Sequence, residues 1–178
     1  MNAHDGDLTQ QLAQLQRDVQ HLKDLEAIKR LKHAYFRAID SADLNLLAEV
    51  LHTNVSAHFI GGTYEWTIDG CEEYLEAIAN SFNAEVVCQH HGHHPEIDIV
   101  GENEARGVWY LHDLFYDLRS RKLTHGTAFY KDHYVREAGK WWIKDTYYHR
   151  HYEIVESIDG CMPNITVQYL ASHGRKLP

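Results

Sequence analysis

Two hydrophobic periodicities occur in this 178-residue chain, and their order along it limits the folds available. Apolar residues recur every three or four positions through Ile28, Leu31, Tyr35 and Ile39, again over residues 42–51 (ADLNLLAEVL), and again over 71–82 (CEEYLEAIANSF), the spacing of helices with one buried face. Between the second and third of these lies a hairpin signal: VSAHFI, the pair Gly61-Gly62, which accepts the positive φ a tight turn demands, then TYEWTI. Long alternating runs follow, EIDIV, ARGVWYLHDLFYDL, THGTAFYKDHYV and KWWIKDTYYHRHYEIV, joined by turns at GENE and Ala138-Gly139. Three helices leading into long antiparallel strands predict an α+β domain, with the helices gathered on one face of a strongly curved sheet. Such a sheet closes into a cone, and a cone encloses a pocket.

The ends read differently. Leu8, Leu12, Leu15, Val19 and Leu22 alternate spacings of four and three, the seam of a short coiled coil. The spacing predicts an N-terminal helical arm over residues 1–20 that packs on another subunit or along the domain flank. The domain itself is expected over 21–157 and a C-terminal tail over 158–178. Asp40-Ser41 is expected to break the first helix, and either residue can cap the second.

Composition removes several classes of function. The formal net charge is −9, with no Lys/Arg run to oppose it, so a nucleic-acid partner is not expected. Cys71, Cys88 and Cys161 are widely spaced and odd in number, which predicts free thiols and neither a disulfide framework nor a zinc ribbon. The polar start MNAHDGDLTQQ and the lack of an apolar run near the roughly 20 residues of a membrane span predict a cytoplasmic protein.

The stretch CQHHGHHP, residues 88–95, holds four histidines, and histidine serves both as metal ligand and as proton carrier near neutrality. No H-E-x-x-H motif, and no H-x-H pair with a nearby ligating carboxylate, accompanies it, so no metal is expected; the stretch by itself does not say which ring, if any, is catalytic. Asp113 is more informative. Alternation puts it on one strand face with Trp109, Leu111 and Phe115, and a carboxylate among apolar groups needs a partner. Arg150, a cation in the aromatic segment YYHRHYE, can neutralise such an Asp or hold an anionic substrate group. Tyr35 and Asp40 close the first helix, and fraying there would let both face the opening.

The segments LEAIKRLKHAYFRAID, HHGHHPEI, GVWYLHD, TAFYKDHY and YYHRHYE, in this order, resemble the SnoaL-like branch of the NTF2-like superfamily, and within it the bile acid 7α-dehydratases. The resemblance spans roughly residues 20–155. It implies a cone-shaped α+β fold, cofactor-free lyase chemistry on a hydrophobic small molecule, and a homotrimer. By motif it implies Tyr35, Asp40, His90, Asp113 and Arg150 as catalytic residues. Candidate substrate contacts are Phe59, His91, Trp109, Leu111, Phe115, Phe129 and Tyr148; Phe59 stands where the family places a tyrosine. The expected mechanism has Asp113 accepting a hydrogen bond from His90, with Tyr35 on the opposite wall oriented by Asp40 and Arg150. The product-forming step is either loss of water or carbon–carbon cleavage releasing formaldehyde from a diaryl compound. The remaining alternative is a ligand-binding module without chemistry, which a separation of His90 from Asp113 would favour.

Overall fold

The computed structural model describes residues 3–178, with side chains from Asp7 onward; residues 1–2 of the expected arm lie outside the described residues. Its elements are α1 (Ala3–Ser41), α2 (Leu44–Val50), β1 (Leu51–Ile60), β2 (Glu65–Asp69), α3 (Cys71–Ser81), β3 (Val86–Gly101), β4 (Glu104–Asp117), β5 (Lys122–Glu137), β6 (Lys140–Ser157) and α4 (Leu170–His173). One six-stranded sheet has the order β2-β1-β6-β5-β4-β3. Every neighbouring pair is antiparallel except β1 with β6. The helices pack on its inner face, so the α+β cone read from the two periodicities is the architecture observed.

Helix α1 runs unbroken through the expected arm boundary and through Asp40. It stops after Ser41 because Ala42 takes a left-handed backbone (φ 48°) and the Asp43 amide returns to the Ala38 carbonyl. Asp43, not Ser41 or Asp40, caps α2 by accepting from the Leu46 amide at 3.0 Å. Asp40 is unavailable for that task because its carboxylate is bound elsewhere.

The core is largely aromatic. Tyr35, Phe36, Phe59, Tyr74, Trp109, Tyr130, Tyr134 and Tyr148 are buried together with Ile28, Leu47, Val55 and Ile143. Their rings meet mostly edge to face, as the ring quadrupole prefers. Two of the glycines that punctuate the sequence are dictated by these rings. A Cβ on Gly92 would sit 1.9 Å from the Phe36 ring, so a smooth strand can pass the helix only with glycine there. At Gly61 a Cβ would lie 2.3 Å from the Tyr64 ring and 2.7 Å from a Glu153 oxygen. Gly61 and Gly62 were expected to supply a positive φ to the hairpin; neither does, and the requirement is close approach instead.

Irregularities in β3 and β6 reset which residues face inward. Between His93 and Glu96, β3 carries one residue more than β4, and His94 has φ 50°. Along β6, Lys144 and His151 are extra residues relative to β5. Inward positions on β6 therefore run Trp141 and Ile143, then Thr146, Tyr148 and Arg150, then Glu153. The tail lies against the chain's own domain. Leu170 is buried, the Ala84 amide donates to the Arg175 carbonyl, and the Arg175 guanidinium grips Glu76 at 2.5 and 2.8 Å.

Candidate active site

Between α3, the bulged end of β6 and the inner faces of β3 and β4 lies a cavity of about 380 Å³, whose lining includes His90, Asp113, Phe115, Tyr64, Tyr148 and Arg150. Leu177 of the tail closes one side, so the segment whose role was open in the sequence borders its own chain's cavity.

The strand pleat selects among the four histidines. His90 and Gly92 point inward, while His91 and His93 point outward with Gln89. His90 stands directly opposite Asp113 in the β3–β4 ladder, so the two side chains are neighbours on the inner face. They are not hydrogen-bonded to each other. His90 Nδ1 lies 2.6 Å from an Asp40 oxygen, and the second Asp40 oxygen accepts the His90 amide at 3.1 Å. Asp113 instead takes two parallel bonds from Arg150, Nη1 at 2.7 Å and Nη2 at 2.6 Å. The reason is geometric: the guanidinium fork matches both carboxylate oxygens, and both groups are buried, so a bidentate charged pair outcompetes a single bond to a ring nitrogen. The expected His90–Asp113 dyad is thus replaced by two pairs, His90–Asp40 and Arg150–Asp113. Arg150 compensates a buried carboxylate and is not a free cation awaiting an anionic substrate group.

The Asp40 contact fixes the imidazole. A carboxylate at Nδ1 holds the proton there and leaves Nε2 with the lone pair. Asp40 reaches this position because α1 stays helical to Ser41; fraying was not needed.

Tyr35 was expected on the cavity wall beside Asp40. It is buried under the cavity floor, 2.8 Å from the Tyr74 hydroxyl and packed on Phe36 and Tyr130. Five residues along a regular helix turn a side chain by about 140°, so when Asp40 faces β3, Tyr35 faces the core. Neither Asp40 nor Arg150 orients it. Burial pushes its hydroxyl well above the ordinary tyrosine range, which opposes any proton loss.

Among the expected substrate contacts, Phe115 and Tyr148 line the cavity. Trp109 and Leu111 share the face of Asp113 as alternation predicts, but they are fully buried in the core; the Trp109 indole donates to Tyr134 at 2.9 Å. Phe59 stacks on Tyr148 at 4.6 Å from behind and supports that ring without lining the cavity. His91 and Phe129 are corrections: both lie on the outer face of the sheet, Phe129 between Tyr110 and His151. Alternation turns an odd and an even neighbour to opposite faces, and both residues sit on the wrong parity.

Two groups escaped the sequence reading. Glu153 lies 3.1 Å from Arg150 Nε, a position strict alternation denies it and the extra residue at His151 allows. Tyr64, in the hairpin turn, accepts from Arg150 Nε at 2.9 Å and sits 2.6 Å from the Tyr148 hydroxyl. Two hydroxyls sharing one bond have one hydrogen left over. The guanidinium makes Tyr64 the better donor; with Tyr64 donating to Tyr148, the hydrogen left over is that of Tyr148, a side chain that lines the cavity. Burial raises the Tyr148 hydroxyl well above its usual value and raises Tyr64 as well, so both remain protonated donors at neutral pH.

Cys88 lies close to the Asp40–His90 pair. Its sulfur, an Asp40 oxygen and a His90 nitrogen fall within 4.8 Å of one another, a set that could ligate an ion. Burial, with Asp40 adding to it, pushes the Cys88 thiol up from its ordinary value.

A family model described as a SnoaL-like domain matches residues 20–147. The chain belongs to the SnoaL-like family. Solved structures similar to this SnoaL-like chain include the hexachlorocyclohexane dehydrochlorinase LinA-type3 of Novosphingobium barchaimii, at 18% identity over 82% of this chain and 99% of that one, TM-score 0.71. A protein of Novosphingobium aromaticivorans described provisionally as a scytalone dehydratase matches at 20% identity over 83% and 97%, TM-score 0.64. An NTF2-like protein of the same species with a cystatin-like fold matches at 17% identity over 79% and 90%, TM-score 0.65. At these identities the structural likeness establishes the shared fold.

Proposed function

We propose that this SnoaL-like protein is a cofactor-independent lyase that eliminates water from a hydroxylated aromatic or polycyclic small molecule. The observation that carries the reading is His90, held by Asp40 at 2.6 Å with no hydrogen bond to its other nitrogen among the described residues, at the wall of a cavity that Tyr148 also lines. A base and a hydrogen-bond donor face one aromatic hollow, and elimination needs these two roles. Similar structures described as a dehydrochlorinase and, provisionally, as a dehydratase support it, since each name denotes an elimination.

In the proposed step His90 Nε2 takes a proton from carbon. The C–H electrons form the new double bond and the C–O bond breaks toward oxygen. The departing oxygen takes the proton from His90, so water leaves and the imidazole returns to its starting state. Asp40 stabilises the transient imidazolium. Tyr148 donates to a substrate oxygen on which charge develops, and its raised pKa keeps it a donor rather than an anion. Arg150, pinned by Asp113 and Glu153, polarises Tyr64 and through it Tyr148.

The cavity volume, about 380 Å³, lies near the low end of small-molecule sites, and Phe82, Phe115 and Trp66 border it. These features suit a mono- or diaryl substrate better than a steroid carried on a large thioester. They also keep the carbon–carbon reading in play: the same base acting on a hydroxymethyl O–H would release formaldehyde, form the double bond and expel a benzylic hydroxyl as water.

The deciding experiment incubates the protein with hydroxylated aryl substrates and with diarylpropane diols, following water loss by mass and formaldehyde by a specific dye. His90→Gln should lower kcat by at least about a thousandfold with the fold intact, and Tyr148→Phe by about ten- to a hundredfold. Wild-type turnover in His90→Gln would refute the assignment of the base. Binding of these compounds with neither product would favour a ligand-binding module.

A further inference from the structure

The cone leaves the first half of α1 alone. From Asp7 to Lys23 no side chain is buried, and Ala13 is the one residue in that span even partly covered. Asp24 is the first to be enclosed, by Arg136 and the Trp141 indole. Along the uncovered span Leu8, Leu12, Leu15, Val19 and Leu22 are each between 41% and 66% exposed.

The two halves of α1 present apolar faces of different shape. Beyond Asp24 the buried set includes Ile28, Leu31, Tyr35, Phe36, Ala38 and Ile39, a broad face suited to a sheet. Before it the apolar residues keep strictly to a four-three alternation, a narrow stripe suited to another helix. The flank of the domain, one of the two partners expected for this arm, does not cover the stripe among the described residues.

We propose that residues 8–23 form a two-stranded parallel coiled coil with the same segment of a second copy of this chain, a dimeric contact in place of the homotrimer that the resemblance implies. Placing Leu12 and Val19 at a and Leu8, Leu15 and Leu22 at d puts Asp18 at g and Lys23 at the following e. Those positions meet across a parallel seam, so each helix offers an anion to its partner's cation, twice by symmetry. Gln11 and Gln16 occupy the equivalent positions one heptad earlier and can pair as amides. An antiparallel seam sets g against g and e against e, which leaves both charges without an opposite. Within its own chain Lys23 has no ion-pair partner among the described residues, and Asp18 accepts from the Gln14 amide on one oxygen. Leucine at every d, with a β-branched Val19 at one a, is the pattern of two strands.

The full-length chain supplies the test. Light scattering on the wild type at micromolar concentration should give the mass of two chains, and Leu15→Glu with Val19→Glu should raise the dissociation constant of the coil by at least about tenfold. Both positions are exposed, so the variant should keep wild-type urea stability of the cone. Leu8→Cys should form a covalent dimer on oxidation beyond the background of Cys71, Cys88 and Cys161 in the wild type. A monomeric wild type, or an assembly and mass unaffected by the Glu substitutions, overturns the proposal. So does a disulfide that forms mainly between Leu8→Cys and Leu22→Cys chains in a mixture, because it indicates the antiparallel arrangement.

Discussion

The aromatic core should make this protein unusually sensitive to alkali, by an amount that follows from its burial pattern. Tyr35, Tyr74, Tyr130, Tyr134 and Tyr148 are buried, and burial pushes each hydroxyl up from its ordinary value. A tyrosine in the unfolded chain loses its proton near about pH 10. The folded state holds the proton to higher pH, so the associated stability is fully present below about pH 10 and falls as pH rises above it. At about pH 11 each such tyrosine favours unfolding by about 1.4 kcal/mol, and five together by about 7 kcal/mol. That is comparable to the whole stability of an ordinary domain, about 5–15 kcal/mol. Lys32 acts with the opposite sign. Its ammonium is buried against Asp132 at 2.8 Å and its pKa is lowered, so stability rises with pH up to the unfolded lysine value; one such group against five does not reverse the trend. Urea midpoints measured from about pH 8.5 to 11, with tyrosinate absorbance recorded on the same samples, check the reasoning. Stability should fall steeply above about pH 10, and no more than six of the eleven tyrosines should ionise before unfolding. Ionisation of all eleven near about pH 10 with an unchanged midpoint would refute the claim that these hydroxyls are sealed from water.

Two further substitutions probe the packing behind the site. Gly92→Ala should cost about 1–3 kcal/mol in urea unfolding, because Phe36 is boxed by Tyr35, Tyr130 and Trp109 and cannot swing away. Adding Phe36→Leu should recover part of that loss, and a strictly additive double variant would show that the two residues do not collide. Asp113→Ala should destabilise by about 3 kcal/mol, the low end for a broken buried pair because Glu153 still faces Arg150; urea unfolding of Asp113→Ala and Glu153→Gln, singly and together, measures how the two carboxylates share that cation.

Much of the architecture was legible in the amino-acid order. The change from a three-four to a two-residue period predicted helices on a curved antiparallel sheet, because each period admits one backbone geometry that puts its apolar residues on a common side. The same logic grouped Trp109, Leu111, Asp113 and Phe115 on one face and required a partner for Asp113, and Arg150 was already named as one that could serve. The family resemblance pointed to His90 and Asp40. Sequence also marked the Leu8 to Leu22 stripe.

Who bonds to whom was decided by the fold. Asp113 had a histidine opposite it and an arginine two strands away, and only the curvature that brings β6 over β4 lets the guanidinium win. Asp40 found His90 because α1 stays wound to Ser41, a matter of one backbone angle at Ala42. Glu153 and Tyr64 joined the site through one inserted residue in β6 and one turn kept narrow by Gly61. Periodicity is a local property that a chain carries in its own order. A hydrogen bond between residues 37 or 50 positions apart depends on bulges, curvature and competing partners, which exist only once the strands are side by side.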